Sequence, residues 1–310
     1  MSEKDKEFIA ILLEESKKFN RQRARTVSSF FEDFYDFCSA TEETLSDLKQ
    51  HSQKPLLKKE EIEAIVEIIR SGLIDCSKTL PENFIAAISR NFIKRQLDMI
   101  RSLTLDSLNP NPFLIQSLKL STPEEVIRLN VYAAVTRSIV TSFGLIIENM
   151  LAATSESVQK IKSGWDLLKI KDGIKHWIQV KSGPNDMDKD QIEFWRTKIE
   201  EVEERGERGY IGFTYGKKDN NTVTIDLLKQ YLPDYEMRTL IGRELWDFLS
   251  DDPNMHSKVL DILRQEALRI LKDKNIINEV EDCINRLKNE FLEKYGEGYE
   301  GVRKYINDIF

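Results

Sequence analysis

Apolar residues recur at helical spacing through the first 120 positions. Phe30, Phe34 and Phe37 fall at i, i+4 and i+7 with Phe31 and Tyr35 beside them, which predicts a broad aromatic stripe facing a core. Ile62, Ile65 and Ile69 repeat the pattern. Asn109-Pro110-Asn111-Pro112 breaks it. Ser121-Thr122-Pro123-Glu124-Glu125 then has the form of a helix start, with a cap, a first-turn proline and acids that suit the helix dipole. A long helix from about Pro123 to Gln159 is expected, with Gly144 a point of interruption.

Beyond it the period changes from helical to alternating. Trp165 to Ile170 and Lys175 to Lys181 read as short strands around Asp172-Gly173, a strong hairpin signal. With those two residues as the loop, Lys171 pairs with Ile174, Leu168 with Trp177, Asp166 with Gln179 and Gly164 with Lys181. Ser182-Gly183-Pro184-Asn185 ends the second strand, and Asp188-x-x-Gln191 resembles a capping box opening a charged helix to about Arg208. Tyr210 to Gly216 and Thr222 to Ile225 read as a second strand pair. Two amphipathic faces follow, Val259, Leu263, Ala267 and Ile270, then Ile277, Val280, Ile284, Leu287 and Phe291. Helices therefore flank a small central sheet, and the chain divides into a helical region 1–122, a mixed core 123–250 and a helical region 251–310.

Composition narrows the classes. The 310 residues, 40% hydrophobic and 32% charged, suit about two domains with a substantial core and exclude a disordered chain. No run approaches the ~18 consecutive apolar residues of a membrane span, and the charged N-terminus carries no signal-type apolar segment, so a soluble cytoplasmic protein is expected. Cys38, Cys76 and Cys283 are an odd number far apart, and His51, His176 and His256 stand apart too. Buried reduced thiols are expected, and a catalytic metal would sit on oxygen. The net charge of −7 argues against non-specific coating of nucleic acid, but the 160–181 stretch holds six lysines against two aspartates. The basic run of Lys17, Lys18, Arg21, Arg23 and Arg25 reads as a solvated helix face.

The hairpin carries the chemistry. Its pairing puts Asp166, Gln179 and Lys181 on one side of the sheet, within roughly 5–8 Å of one another, and Trp165, Leu167, Ile178 and Val180 on the other. An acid, a second oxygen donor and a lysine at a strand end suit metal-assisted phosphodiester hydrolysis: Asp166 holds a divalent ion, Gln179 offers its amide oxygen or orients a water, and Lys181 positions the attacking water. The same residues would also serve as an exposed cross-strand ion pair beside a neutral glutamine. Trp165 and Trp177 read as core rather than base-stacking platforms.

Asp166 followed by Gln179-Val180-Lys181, after a helix containing Phe143-Gly144-Leu145-Ile146-Ile147-Glu148, resembles the PD-(D/E)XK nuclease core, and more narrowly type II restriction endonucleases. In that family an acid on the helix before the first core strand often joins the metal site, a place Glu148 matches. Gly209-Tyr-Ile-Gly-Phe-Thr-Tyr-Gly216 and Gly242-Arg-Glu-Leu-Trp-Asp-Phe-Leu249 resemble the C-terminal part of the group that cuts GGNCC-type sites. The family usually has Asp or Glu where this chain has Gln179; glutamine there resembles methyl-directed enzymes and some resolvases, and Glu148 would replace the missing charge.

The resemblance implies an α/β fold, a small mixed sheet of the restriction-endonuclease-like core between extensive N- and C-terminal helices. It implies a Mg2+-dependent type II site-specific deoxyribonuclease of a prokaryotic restriction-modification system, acting on double-stranded DNA as a homodimer, with a cognate DNA methyltransferase acting on the same site. Catalysis would fall to Asp166, Gln179, Lys181 and Glu148, with Asp166, Glu148 and Gln179 on the metal. Lys162, Lys169, Lys171, Lys175, Ser182 and Asn185 are the candidate DNA contacts, and the terminal helices would supply dimer contacts and part of the cleft. The rival readings are another PD-(D/E)XK nuclease, of repair or methyl-directed type, and a non-catalytic helical binding protein.

Overall fold

A computed structural model describes residues 3–49, 55–71, 74–75, 79–161, 164–185, 187–219 and 221–309. The expectations for Cys76 and Lys162 lie outside the described residues.

The chain opens with α1 (Glu3–Glu15), α2 (Arg21–Ser28), α3 (Phe34–Ser39), α4 (Glu42–Asp47), α5 (Lys59–Arg70), α6 (Leu80–Ser102), α7 (Leu105–Leu108) and α8 (Pro112–Ser117). Polar side chains fix where these begin: Asn20, Asp33, Thr41 and Asn111 each accept a hydrogen bond from a first-turn backbone N–H. The aromatic stripe is split by this punctuation. Residues 29–33 are turn and bend, so only Phe34 and Phe37 share a helix. Phe31 still reaches the core, 5.0 Å from Phe37 edge to face, while Tyr35 is exposed.

Next comes α9 (Pro123–Ala153). Its start matches the sequence reading: the Glu125 carboxylate accepts from the backbone N–H groups of Ser121 and Thr122, and Thr122 Oγ1 accepts from Glu125 N. The helix runs through Gly144 without a break and ends at Ala153, six residues before the expected Gln159. Residues 158–160 are claimed instead by the sheet, as β1 (Val158–Lys160). By length and apolar composition α9 could cross a membrane, but Thr136, Arg137, Ser138, Thr141 and Ser142 interrupt any continuous apolar run.

The sheet and its connections follow as β2 (Leu167–Lys171), β3 (Ile174–Lys181), α10 (Lys189–Glu203), β4 (Arg208–Phe213), α11 (Val223–Tyr231), α12 (Tyr235–Arg238) and β5 (Thr239–Ile241). The five strands lie in the order β1-β2-β3-β4-β5, the first three antiparallel and the last two joined in parallel, which makes the fold α/β with a mixed sheet flanked by helices. The hairpin has the predicted register, Lys171 opposite Ile174 and Leu168 opposite Trp177, with Asp172 and Gly173 at φ +52° and +76° in the turn. One strand was misread. Thr222 to Ile225 opens α11, where the Thr222 hydroxyl accepts from Ile225 N and Ile225 and Leu228 are buried; β-branched residues mimic a strand here until the cap and the packing decide. β4 is flanked instead by β5.

Both faces of the sheet are covered. α10 lies over the side that carries Ile211 and Phe213, and Gly209 allows its close approach, since a Cβ there would stand 3.0 Å from the Ile199 Cα. Leu245 of α13 (Arg243–Ser250) lies on the other side, where a Cβ at Gly212 would meet Leu245 Cδ1 at 2.9 Å and Ile178 Cγ2 at 3.1 Å. The chain finishes with α14 (Met255–Leu271), α15 (Ile276–Tyr295) and α16 (Gly298–Asp308).

By internal contacts the chain forms two compact units. Met1–Ser89 with Ile146–Arg264 contains the sheet; Arg90–Leu145 with Gln265–Phe310 is all helical. The chain passes between them within α6, α9 and α14, whereas the divisions at 122 and 250 followed composition along the sequence. The helical unit has its own core, with Val126, Ile127 and Val131 against Ile284, Leu287 and Phe291, and Phe291, Tyr295 and Tyr305 in mutual ring contact at 5.0–5.1 Å.

Candidate active site

Asp166 stands one residue before β2 and is tied to both neighbouring strands. Its N–H donates to Ile178 O at 3.2 Å, its carbonyl accepts from Ile161 N at 3.1 Å, and its carboxylate Oδ2 accepts from Val180 N at 2.7 Å. The hairpin thus fixes the carboxylate as well as the backbone. Burial holds the Asp166 carboxyl above its usual pKa and the Glu148 charge adds to this; the Val180 N–H, Lys181 and Lys160 oppose it. Asp166 therefore has Glu148, Lys160 and Lys181 within electrostatic reach.

Glu148, near the C-terminal end of α9, is paired with Lys160 of β1 at 3.0 Å. Lys160 also donates to Asn149 Oδ1 at 3.0 Å. Gln179 has its Oε1 buried with no hydrogen-bond partner, and its Nε2 approaches Val180 O at 3.5 Å. The Lys181 ammonium donates to Gln191 Oε1 at 3.3 Å. The arrangement places two carboxylates, an unpartnered amide oxygen and two ammonium groups around one end of the hairpin.

The sequence reading had the sheet sides partly wrong. Gln179 and Lys181 lie beside Ile211 and Phe213 in register and share the side packed by α10, so they do not face away from a core. Trp165 joins that side too: its ring is 4.9 Å from Trp195 and 6.5 Å from Trp177, because residues 164–166 precede regular pairing and Gly164 turns at φ +90°. Trp165 and Trp195 are core residues, and the Trp177 indole N–H donates to Glu207.

The lysines expected on DNA separate. Lys169 is 1% exposed, and its ammonium donates to the carbonyls of Phe248 and Leu249 and to Asp251 Oδ2 at 2.6 Å; it holds the C-terminal end of α13, and the expectation of a phosphate contact is corrected. Lys171 shares Asp251 and Lys175 pairs with Glu207, both half-exposed. They stand by the hairpin turn; six residue rises along the strand separate Lys175 from Lys181, or about 20 Å. Ser182 and Asn185 lie beyond the C-terminal end of β3, with Ser182 O accepting from Thr214 Oγ1 and Asn185 exposed.

Two participants escaped the sequence reading. Lys160 was visible only as one lysine of a basic run. Gln191 was assigned to a capping box, and half of that holds: Asp188 Oδ1 accepts from Gln191 N, but the Gln191 side chain turns to Lys181.

The family of type II restriction endonuclease EcoO109I matches residues 81–275, more than half of the chain and the whole of this cluster. No curated protein matches the chain. A match of that extent over a sheet with an acid, a glutamine and a lysine at its hairpin end gives the chain its place: it belongs to the type II restriction endonuclease EcoO109I family and is a site-specific deoxyribonuclease of a restriction-modification system.

Proposed function

We propose that cleavage depends on a magnesium ion held by Asp166, Glu148 and Gln179, with Lys181 acting on the attacking water. The observation that carries this reading is the Gln179 oxygen, a buried acceptor without a hydrogen-bond partner, on the strand whose Val180 N–H holds the Asp166 carboxylate, since a polar atom left so costs stability unless something else satisfies it. The donors are all oxygen, which suits a hard divalent ion. Among the described residues no three His, Cys, Asp or Glu side chains gather as a metal site, so this reading needs the Gln179 amide as its third protein donor. When bound, the ion would polarise the phosphate and make water a better nucleophile.

The chain's own groups do the rest. Val180 N–H fixes the Asp166 carboxylate; Gln191 holds Lys181, whose ammonium orients a water toward phosphorus and offsets charge on the phosphate oxygens. Water oxygen bonds to phosphorus and its proton passes to solvent, the bond from phosphorus to one sugar oxygen breaks, and that oxygen takes a proton from solvent. Lys171, Lys175, Ser182 and Asn185 remain candidate DNA contacts.

A homodimer fits cutting both strands of a two-fold site. The helical unit exposes Phe113, Leu114, Leu118, Val140 and Leu145, apolar side chains that a second copy would cover. A methyltransferase protecting the same site, and a prokaryotic cytoplasm, follow from the restriction-modification role.

Digestion of phage DNA tests the reading. Discrete fragments with Mg2+ or Mn2+, binding without efficient cutting in Ca2+, and loss of cleavage on chelation are expected; full activity after exhaustive chelation contradicts the metal assignment.

A further inference from the structure

The cluster balances its charge without any added ion. Glu148 and Asp166 contribute two carboxylates, Lys160 and Lys181 two ammonium groups, and Gln179 is neutral. Lys160 is placed to matter in this balance. It lies on β1, the edge strand of the sheet, and its side chain is 42% exposed while that of Glu148 is 20% exposed. Its ammonium stands 3.0 Å from Glu148 Oε2 and 3.0 Å from Asn149 Oδ1.

A divalent cation on Glu148 would stand beside that ammonium, and like charges at such range in a partly desolvated site repel. Lys160 has the means to leave. Its stem is long and flexible, its side chain is partly exposed, and together with Asn149, Gln159 and Lys4 it borders a cavity of about 420 Å³. A DNA phosphate brings the negative charge that compensates the move.

We propose that Lys160 is an internal counter-ion of the active site: it neutralises Glu148 in the DNA-free enzyme and transfers to a substrate phosphate when Glu148 takes up a divalent cation. This rests on the metal reading above. Its consequence is positive coupling between cation and DNA, because each relieves the cost of moving Lys160 that the other would otherwise meet alone; by linkage the coupling is the same in both directions. The enzyme is thereby kept from loading its cation tightly in the absence of substrate.

The test is Mn2+ affinity of the full-length, DNA-free enzyme by titration calorimetry for wild type, Lys160→Met and Lys160→Arg. It is paired with affinity for a phage-DNA fragment that the enzyme cuts, measured with and without Ca2+. Melting temperatures confirm folding, and Lys160→Gln serves if the methionine variant is unstable. Lys160→Met should bind Mn2+ roughly fivefold or more tightly, and the gain in DNA affinity brought by Ca2+ should shrink by a similar factor. Lys160→Arg, which keeps the charge, should stay near wild type. A folded Lys160→Met that binds Mn2+ no better than wild type overturns the proposal and leaves the metal site standing. Mn2+ binding that is absent from wild type and from folded Lys160→Met alike, or unchanged in Glu148→Gln and Asp166→Asn, overturns the metal reading itself and the Lys160 role with it.

Discussion

At the residue scale, Gln179 carries a buried side-chain oxygen without a hydrogen-bond partner, which makes its proposed role testable. Gln179→Glu keeps an oxygen donor at this position and should keep cleavage within about tenfold of wild type. Gln179→Ala removes the donor and should lose roughly 10- to 100-fold; equal wild-type rates for both would make the residue a bystander. His176 yields a prediction about stability. It stacks on Tyr210 at 5.8 Å, and burial first, then Lys169 and Lys171, holds its pKa below the ordinary value. The unfolded chain therefore takes up a proton more readily than the folded one. The stabilisation from neutral His176 is complete above about pH 6.5 and is lost as pH falls through that value toward the lower folded pKa. Urea midpoints measured at pH 8, 6 and 5 should fall less steeply in His176→Gln than in wild type; parallel curves would refute this. The placement of Asp166, Gln179 and Lys181 at one end of the hairpin was legible because a two-residue turn fixes the register. The side chains of Lys160 and Gln191 were not, because their partners lie on other elements and local spacing says nothing of them.

At the element scale, the sequence spoke clearly where a strong local signal agreed with the packing. The Asp172-Gly173 turn, the start of α9 and the buried Val280, Ile284, Leu287 and Phe291 face of α15 are such cases. It misled where two periods competed. On α14 the fully buried positions are Met255, Val259, Ile262 and Glu266, so the expected Leu263, Ala267 and Ile270 lie only at the margin of the buried stripe. In residues 222–225 strand-like composition gave way to a helix cap. Lys169 shows the same limit for charge, since a lysine in a basic run became an interior strut between β2 and α13. Lys169→Met should destabilise by about 2–4 kcal/mol, because it leaves the carbonyls of Phe248 and Leu249 without their donor and removes one of the two cations on Asp251. Lys171→Ala, at a half-exposed site, should cost under about 1 kcal/mol. Thermal or urea unfolding of the pair checks this, and equal small effects would contradict the strut.

At the scale of the whole molecule, the unit that contains the sheet draws its polypeptide from both sides of the helical unit's first segment, a discontinuity that composition along the chain does not reveal. The exposed Val140 and Leu145 predict self-association: sedimentation equilibrium should return twice the chain mass, and the Val140→Asp/Leu145→Asp double variant should shift it toward the monomer. A wild-type monomer with and without DNA would contradict the dimer. The central claim is that the hairpin end of the sheet performs the cleavage. It is tested most directly by measuring cleavage and gel-shift affinity together for Asp166→Asn, which retains a side-chain acceptor for the Val180 N–H. With circular dichroism unchanged, cleavage should fall by about 10³-fold or more, since several kcal/mol of transition-state stabilisation depend on that carboxylate. DNA affinity should stay the same or rise, because a negative charge is removed beside the phosphates. A folded Asp166→Asn enzyme that cuts at the wild-type rate would contradict the account.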